Sequence, residues 1–592
     1  MITPKAFLGV SHSALNNRWV GREHDLRAAQ RMSQEFGYPA ALAQAIASRG
    51  VGPDAVQSFL QPRLKTAMPD PSHLIDLDKA VERVITAMRD NERIGVFGDF
   101  DVDGATSSAI VRRYLRWLGV DSELYIPDRY KEGYGPNVGA METLAERGVQ
   151  CLLTLDCGVA SHAPLARAAE LGMDVVVLDH HLAPADLPVA HAVVNPNRVD
   201  ETSEIGHIAA CGLSFLFVVA LNRRLRQENW FKEHEEPDLL KLLDMVALGT
   251  VADVVPLKGI NRAFVAQGLI KMAEWHNPGL AALKSLCRVE GRPVAENMGF
   301  DFGPRLNAGS RMGHSDLAAR LLCTDDPQEA ADIAARLDEL NKERRSVEGK
   351  VQRAADRQAM ADGFTDPLVA AAGDGWHQGV LGIVAGRLKG KYKRAAICVG
   401  FDEAGLGKGS GRSIPGFNLG EAVVAAKSEG LLVEGGGHAM AAGVSVLKDR
   451  FPAFRDFMAE RAADALATSP DPDVMEFDGA VSAGAVNATL IGGLEALEPF
   501  GQGNPQPRFA VTRVRATYAN VVGKDHVAAQ LEGSDGSRLR AIAFKSLETP
   551  LGQLLMNAKD RPIHVGGVPI RDTYRGGDHV QLRVEDAAYA EE

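Results

Sequence analysis

Short runs of apolar and β-branched residues alternate with amphipathic stretches between about residue 90 and residue 200. Four runs have this character: Arg93–Gly98, Gln150–Leu155, Asp174–Leu178 and His191–Val194. Val138–Arg147 and Ala163–Leu171 lie between runs and carry apolar residues at helical spacing. Leu74–Arg89 and Lys241–Ala252 also read as helices. Buried strands alternating with helices predict a parallel sheet covered on both faces.

The pattern changes in the rest of the chain. Residues 1 to about 70 look helical, and apolar residues at near-helical spacing predict one or two long helices over 317–360. Residues 367–446 form a second predicted α/β unit, with a strand at Arg394–Gly400. Five strand-like runs separated by polar turns then predict a small β-barrel of the OB type: Val511–Tyr518, His526–Leu531, Ser537–Phe544, Ile563–Pro569 and Val580–Val584.

Composition places the 592-residue chain among ordinary globular proteins with several domains, since 45% of its residues are hydrophobic and 24% are charged. The formal net charge of −12 gives no support for nucleic-acid binding, but it does not exclude a local basic groove. The candidates for such a groove are Arg112, Arg113, Arg116, Lys389, Lys391, Lys393 and Arg394. Solvated helix faces explain the same residues equally well.

The six cysteines contain no C-x-x-C pair, which argues against a thiolate zinc site and is typical of a reducing compartment. The amino-terminal residues lack the layout of a signal peptide. The apolar run Leu213–Leu221 is too short to span a bilayer. We therefore expect a cytoplasmic protein with no membrane contact.

Acidic and imidazole side chains follow the predicted strands. Asp99, Asp101 and Asp103 come after the first run, and the later candidates are Asp156, Asp179, His180, His181 and Asp253. A single aspartate after a strand is most often a helix cap. Five of these side chains would meet at one edge of the sheet, where they match a site for two divalent ions, Mg²⁺ or Mn²⁺: Asp101, Asp103, Asp156, His180 and Asp253.

Two glycine-rich segments, Gly405–Ser413 and Gly435–His438, are predicted to be loops that let a backbone approach an anion. Arg412 would add a bidentate contact to a phosphate. Lys408 is followed by glycine, so the first segment is not a Walker A motif. A glycine-rich hairpin without a ligand is the alternative.

Several of these motifs resemble those of a known family. Asp99-Phe-Asp-Val-Asp-Gly, Asp156-Cys-Gly and Asp179-His-His resemble the signatures of the DHH phosphoesterase superfamily. Later segments resemble its RecJ family of single-strand-specific exonucleases: Gly303–Arg311, Trp376–Ala385 and Gly435–Gly443. The resemblance runs from about residue 70 to the C-terminus.

The resemblance implies a role for each candidate. Asp101, Asp103, Asp156, His180 and Asp253 match the positions that hold two ions, Mn²⁺ or Mg²⁺, and Asp179 and His181 belong to the same motif. Asp103, Asp156, His180, His181 and His438 are the implied catalytic residues. The implied substrate-binding residues are Arg305, Asn307 and Arg311 in the cleft, Ser410 and Arg412 at the 5′-terminal phosphate, and His438 near the scissile bond.

One departure is Phe97, which stands where many DHH enzymes have a histidine, four residues before the D-x-D pair. A phenylalanine does not ligate metal. We therefore expect a poorer protein shell around one ion, for which Asp99 would partly compensate.

The predicted fold is α/β: a DHH-type parallel-sheet domain and a DHHA1-type α/β domain joined by a long helix, followed by an OB-like barrel. The predicted domains are an N-terminal helical segment (1–70), a DHH catalytic domain (71–275), a helical connector (276–360), a DHHA1 domain (361–465) and an OB-like nucleic-acid-binding domain (466–592).

The implied activity is metal-dependent 5′→3′ degradation of single-stranded DNA to 5′ mononucleotides, in DNA repair and recombination. A RecQ-type helicase and a single-strand-binding protein are the implied partners. Two alternatives stay open: a DHH phosphoesterase acting on short oligonucleotides or cyclic dinucleotides, and a non-catalytic single-stranded-DNA-binding relative.

Overall fold

The computed structural model of the protein describes residues 5–361, 366–468, 474–558, 561–572 and 577–590. These residues form two α/β lobes, a long helix between them and a C-terminal barrel, which confirms the predicted fold class. Among them, no helix is both long and apolar enough to cross a membrane.

The first lobe is built on a five-stranded parallel sheet with α-helices around it. Its elements are α5 (Leu77–Arg89), β2 (Arg93–Gly98), α6 (Val102–Trp117), β3 (Ser122–Tyr125), α7 (Val138–Glu146), β4 (Val149–Leu155), α8 (His162–Glu170), β5 (Asp174–Leu178), β6 (Ala192–Val194), α9 (Ala210–Gln227), α10 (Leu243–Ala252) and α11 (Gly259–Met272). β1 and α1–α4 precede these elements in the N-terminal segment.

The strand order of this sheet is β3-β2-β4-β5-β6, with every neighbour parallel. The chain moves outward from β2 to β3 and then crosses back to β4. The topology therefore switches direction between β2 and β4. In open α/β sheets, the crevice at the carboxyl ends of two such strands is the usual ligand site.

Buried apolar side chains of α5, α6, α9 and α10 form one continuous core with one face of this sheet. α10 is apolar on all sides because α6, α9 and α11 surround it. Gly104 lets the first turn of α6 sit on the end of β2, since a Cβ there would lie 2.4 Å from the Asp99 carbonyl oxygen.

Four helices lead to the second lobe: α12 (Pro278–Cys287), α13 (Gly303–Arg311), α14 (Leu317–Cys323) and α15 (Pro327–Ala361). α15 is the predicted long helix and is 35 residues long. Its first half packs on the core of the first lobe through Ile333 and Leu337, and its second half packs on the second lobe through Val351 and Ala355. One rigid helix thus fixes the spacing of the two lobes.

The second lobe has a mixed five-stranded sheet in the order β10-β11-β9-β8-β7. Its elements are β7 (Leu368–Asp374), α16 (Gln378–Tyr392), β8 (Ala395–Phe401), β9 (Leu406–Arg412), α17 (Leu419–Ser428), β10 (Glu434–His438), β11 (Ala441–Leu447) and α18 (Phe451–Thr468).

The two glycine-rich segments are strands of this sheet, so their prediction as loops was wrong. Gly407, Gly409 and Gly411 alternate along β9 and face its crowded side. A Cβ on any of them would come within 2.9 Å of a neighbouring side chain. These glycines therefore bring β9 close to its neighbours, and the residues between them face the other side of the sheet.

The C-terminal region closes into a five-stranded barrel in the order β14-β15-β16-β18-β17, with β17 pairing back onto β14. Its elements are β12 (Val474–Phe477), β13 (Gly479–Val481), α19 (Ala488–Glu495), β14 (Phe509–Val522), β15 (His526–Glu532), β16 (Arg538–Ala543), α20 (Pro550–Asn557), β17 (Ile563–Arg571) and β18 (Val580–Tyr589).

The N-terminal segment packs on this barrel. It comprises β1 (Arg18–Gly21), α1 (Leu26–Phe36), α2 (Ala40–Ala47), α3 (Val56–Leu60) and α4 (Leu64–Ala67). The strand β1 was missed by the helical prediction, and it pairs in parallel with β12. The buried Trp19 donates its indole N–H to Asp586 on β18 at 3.0 Å. Residues nearly 570 positions apart therefore share one core.

Candidate metal centre and nucleic-acid interface

The predicted carboxylates and histidines meet at the switch point of the first sheet. The His180 Nε2 atom lies 3.3 Å from Asp156 Oδ1, 3.7 Å from Asp253 Oδ2 and 3.9 Å from Asp103 Oδ2. Three groups have ligand atoms within 4.8 Å of one another: Asp99, Asp101 and Asp156; Asp103, His180 and Asp253; and Asp156, His180 and His181. The structure thus brings together every side chain of the predicted metal set.

Backbone geometry fixes each of these side chains. Asp101 caps α6 by accepting the N–H groups of Asp103 and Gly104. Asp103 accepts the Ala210 N–H at 2.7 Å and the Cys211 N–H at 2.9 Å, both at the start of α9. Asp156 follows β4 with a φ of 62°, a left-handed conformation that turns its carboxylate into the cluster.

The two histidines are oriented by their hydrogen bonds. His180 Nδ1 donates to the Ile208 carbonyl oxygen at 2.9 Å, which leaves the Nε2 lone pair directed at the carboxylates. His181 Nδ1 lies 2.8 Å from Asp179 and 3.1 Å from the Tyr134 hydroxyl. Tyr134 also donates to the Asp156 carbonyl oxygen at 3.0 Å, so it connects two cluster residues. Sequence reasoning missed Tyr134.

Burial and mutual repulsion dominate the electrostatics of this cluster. Burial, and next the Asp101 carboxylate, raise the pKa of Asp99. Burial also raises the pKa of Asp103, and burial with the Asp103 carboxylate raises that of Asp156. The same two causes raise the pKa of Asp253 to about 8. Four carboxyl groups that resist ionisation side by side are stabilised as anions when a cation joins them.

The residues present fit divalent ions. Asp99 Oδ1 and Asp156 Oδ1 are buried oxygens without a hydrogen-bond partner among the described residues. Such oxygens, with a free imidazole nitrogen, are the donors that Mn²⁺ and Mg²⁺ accept. Phe97 is fully buried and stacks on Tyr125 at 5.4 Å, so it belongs to the core of the lobe. The ligand atoms of Asp99, Asp101 and Asp156 lie within 4.8 Å of one another. That Asp99 compensates for Phe97 stays a prediction.

Ser410 and Arg412 lie together on the face of β9 that packs against α16. Arg412 Nη1 donates to Ser410 Oγ at 3.0 Å. Burial, and then the nearby Arg129 guanidinium, lower the pKa of Arg412. Gly382 on α16 makes room for this pair, because a Cβ there would lie 2.9 Å from Arg412 Nη2 and 3.0 Å from Ser410 Oγ.

Arg129 lies where its charge acts on side chains of both lobes. Sequence reasoning also missed this residue. It stacks on Phe100 at 4.7 Å, and its charge acts on Asp99 in the metal cluster as well as on Arg311 and Arg412. It stands in a loop between β3 and α7 whose sequence has no strand or helix pattern. Its neighbour Tyr130 donates to the Arg311 carbonyl oxygen.

The other predicted substrate residues are placed differently. Asn307 and Arg311 line a cavity of about 560 Å³ that also involves Arg344, Arg387, Phe300 and Phe500. Burial and then the Arg129 charge lower the pKa of Arg311 to about 10. Arg305 instead donates to Asp338 at 2.9 Å and to the Asp301 carbonyl oxygen, which ties α13 to α15. His438 is exposed at the end of β10 and pairs in register with Ala441.

The basic candidates on α6 do not form a groove. Arg112 bonds Ser122, and Arg113 and Arg116 bond Asp325 and carbonyl oxygens near the end of α14. Lys391 pairs with Asp356 on α15. In the barrel, Tyr518 is 61% exposed and Phe544 is 50% exposed, and the Phe544 ring contacts His526 edge-to-face at 5.2 Å. Tyr574 lies outside the described residues.

Comparison with known proteins agrees with this architecture. The model of the DHH family N-terminal domain matches residues 93–250, the DHHA1 domain matches residues 365–464, and the RecJ OB domain matches residues 477–586. The single-stranded-DNA-specific exonuclease RecJ of Dickeya dadantii is 37% identical over 521 residues, covering 86% of this chain and 90% of that protein. RecJ of Bacillus subtilis is 32% identical over 582 residues, covering 97% of this chain and 71% of that protein.

The solved structures agree as well. RecJ of Thermus thermophilus in complex with Mn²⁺ superposes with a TM-score of 0.79 at 29% identity, covering 97% of this chain and 80% of that one. The structure of the same protein with Mg²⁺ gives a TM-score of 0.74.

A parallel sheet with an acidic, imidazole-bearing edge, joined by a long helix to a second α/β lobe, defines a DHH–DHHA1 phosphoesterase. Within that class, the RecJ OB domain and the sequence identity to RecJ proteins over most of the chain assign the family. The chain belongs to the RecJ family.

Proposed function

We propose that the chain is a divalent-metal-dependent exonuclease that degrades single-stranded DNA from its 5′ end and releases 5′ mononucleotides. One observation carries this proposal: Arg129 stacks on Phe100, which lies between Asp99 and Asp101, and it also lines the groove that contains Ser410. Its charge acts on both Asp99 and Arg412. The RecJ relatives are named single-stranded-DNA-specific exonucleases, and their structures hold Mn²⁺ or Mg²⁺.

Residues of the first lobe would hold the ions and contact the phosphate that is cut. Asp99, Asp101, Asp103, Asp156, His180 and Asp253 would hold the ions. Divalent ions at this site supply a water molecule of lowered pKa and neutralise charge on the phosphoryl group. His181 is held by Asp179 and Tyr134 at the exposed side of the cluster, where it contacts the phosphate being cut.

The second lobe sets the direction in which the strand is degraded. Ser410 and Arg412 offer a hydroxyl and a guanidinium to the 5′-terminal phosphate, with Arg129 adding charge from the first lobe. A pocket for the chain end restricts cutting to one nucleotide from that end. His438 lies in register with Arg412 across β11 and contacts the first nucleotide.

The rest of the strand leaves through the cavity lined by Asn307 and Arg311. Arg344 and Arg387 share one buried partner, Glu348, so positive charge exceeds negative charge on this wall. Phe300 is 77% exposed there and offers a surface for base stacking. Tyr518 and Phe544 continue the path on the barrel, and Arg305 supports it from α13.

The proposal extends to the cellular setting. The family resemblance supports action in the cytoplasm during DNA repair and recombination. It also supports a RecQ-type helicase and a single-strand-binding protein as partners.

The test uses two single-stranded DNA oligonucleotides of one sequence, internally labelled, with an open 5′-phosphate end or a blocked 5′ end. Each is incubated with the protein and Mn²⁺ or Mg²⁺, with duplex DNA as the specificity control. We expect mononucleotides from the open single strand alone. Robust cutting in excess chelator contradicts the metal requirement, and equal cutting of the blocked strand contradicts the end pocket.

A further inference from the structure

The face of the second-lobe sheet that carries Ser410 holds three rows of paired residues. The strands β9, β11 and β10 are antiparallel neighbours, so side chains of paired residues project from the same face. The rows are Lys408–Ser445–Glu434, Ser410–Gly443–Gly436 and Arg412–Ala441–His438. Lys408 therefore stands one row beyond the Ser410–Arg412 pair, on the side away from Arg412.

The middle row forms an open trough. A Cβ on Gly436 or Gly443 would meet no atom within 4 Å, so there is free space above both glycines. This trough is part of a groove of about 550 Å³ between the sheet and the Arg129–Tyr130 loop of the first lobe. The groove therefore extends past Ser410 toward Lys408 and Ser445, which also line it.

The outer end of the groove is positively charged. Lys408 Nζ donates to Ser445 Oγ at 2.8 Å and lies 4.0 Å from Glu434, whose side chain is 72% exposed. Lys427 lines the same end, and within the described ranges it has no ion-pair partner. Two lysines face one glutamate, and Arg129 adds charge from the opposite wall. Positive charge therefore exceeds negative charge at this end of the groove.

We propose that the outer row holds the additional phosphates of strands whose 5′ end is a diphosphate or triphosphate. The inference rests on the proposed function, in which Ser410 and Arg412 hold the phosphate nearest the first nucleotide. One row is a two-residue step, roughly 7 Å along a strand, so Lys408 is within reach of the next phosphates of a chain held at Ser410. A pocket for a monophosphate alone would need no charge there.

The reaction itself is unchanged and balances with water alone. Water attacks the phosphorus that joins the first and second nucleotides, and the bond from that phosphorus to the 3′ oxygen breaks. The 3′ oxygen takes the proton. The first nucleotide leaves with its whole 5′ chain as a nucleoside 5′-triphosphate, and the remaining strand carries a 5′ monophosphate. Later rounds release nucleoside monophosphates.

The experiment compares three single strands of one sequence with a 5′ triphosphate, a 5′ monophosphate or a 5′ hydroxyl. We expect wild-type protein with Mn²⁺ to cut the triphosphate strand at least as efficiently as the monophosphate strand. Mass spectrometry should then identify a nucleoside triphosphate as the first product.

Two variants remove charges of opposite sign at the outer row, and a third variant is the control. Lys408→Ala should lower the ratio of kcat/KM for triphosphate over monophosphate strands by roughly fivefold, mainly through KM, because a partly exposed charge contact is lost. Glu434→Gln should raise the same ratio. Lys448→Ala is the matched control, since Lys448 belongs to the same lobe, has a similar exposure of 55% against 53% for Lys408, and pairs with Asp374 instead.

The outcomes separate the two proposals. Wild-type protein that cuts the monophosphate strand but spares the triphosphate strand overturns the outer phosphate site and leaves the exonuclease proposal standing. Free pyrophosphate in place of a nucleoside triphosphate, or an unchanged ratio in both Lys408→Ala and Glu434→Gln, also overturns it. Protein that cuts none of the strands removes the proposed function itself.

Discussion

His180 points its Nε2 atom at Asp156 Oδ1 from 3.3 Å, because its other ring nitrogen donates to the Ile208 carbonyl oxygen. That carbonyl belongs to the segment just before α9, whose first N–H groups hold Asp103. One loop therefore sets the orientation of an imidazole and of a carboxylate that lie nearly 80 residues apart in the chain. The centre is preorganised by backbone groups, which side-chain substitution leaves in place.

Asp156→Asn should abolish cutting while DNA binding persists. The amide keeps the shape of the side chain but removes the charge of an oxygen that has no other partner among the described residues. Loss of ion binding should lower kcat by roughly a thousandfold or more. Nuclease assays and fluorescence anisotropy on the same single strand measure the two properties separately. Loss of binding in parallel with cutting would mean that the carboxylate serves the fold instead, and Asp103→Ala should repeat the expected result.

Metal uptake should release protons near neutral pH. Burial and the Asp103 carboxylate raise the pKa of Asp253 to about 8, so this group is largely protonated below that pH in the metal-free protein. Since the metal binds the ionised form, apparent affinity for Mn²⁺ should rise as pH increases from about 6 through 8. Calorimetric titrations in two buffers of different ionisation enthalpy count the released protons. A pH-independent affinity with no proton release would contradict the raised pKa.

Gly382→Ala should weaken recognition of the 5′ phosphate without unfolding the protein. The new methyl group would press on Arg412 Nη2 and Ser410 Oγ, which are side-chain atoms that shift easily. KM for 5′-phosphorylated strands should rise roughly tenfold, because the guanidinium loses its alignment. Gly386→Ala is the matched control, one turn along α16 with no atom within 4 Å of its Cβ. Equal effects of both variants would trace the loss to the helix and not to the pocket.

Asp244→Asn should flatten the pH dependence of stability. Asp244 is only 3% exposed, and burial raises its pKa to about 7. Because the pKa is higher in the folded protein, Asp244 makes its full favourable contribution to the free energy of unfolding below the unfolded-state pKa near 4. This contribution is lost as pH rises through about 7. The full loss is on the order of 4 kcal/mol. Thermal melting of both proteins from about pH 4 to 9 measures the difference. A constant difference in melting temperature across that range would exclude Asp244 as its source.

Arg262→Ala should loosen the barrel from the first lobe. This buried guanidinium donates to the carbonyl oxygens of Leu497 and Glu498 and, on its other side, to that of Phe59. Losing these charged hydrogen bonds should destabilise the contact by about 3 kcal/mol. We expect faster limited proteolysis near the start of the barrel and weaker cutting of long strands than of short ones. Arg223→Ala, which removes a surface pair with Asp70, is the control.

The amino-acid sequence by itself determined the local elements and the kind of chemistry. The apolar runs of the first lobe became β2, β4, β5 and β6, since residues buried on both faces of a sheet leave an unbroken apolar signal. The acids at their ends predicted the acidic cluster that the structure shows, because parallel strands bring their carboxyl ends to one edge. The D-x-D and DHH motifs indicated the DHH superfamily, and the later motifs within Gly303–Arg311, Trp376–Ala385 and Gly435–Gly443 indicated the RecJ family.

Only the tertiary structure decided which cations and aromatic residues lie beside the acidic cluster and the second-lobe groove. Arg129 and Tyr134 stand in a loop without a periodic pattern, and their roles come from contacts with residues far along the chain. The glycines of β9 looked like a loop, because single-sequence propensity does not register neighbours that exclude a Cβ. Arg112, Arg113 and Arg116 looked like a basic surface, yet hydrogen bonds and ion pairs near the end of α14 occupy two of them. Local sequence encodes periodicity and chemistry, whereas the pairing of distant side chains depends on packing that only the folded chain defines.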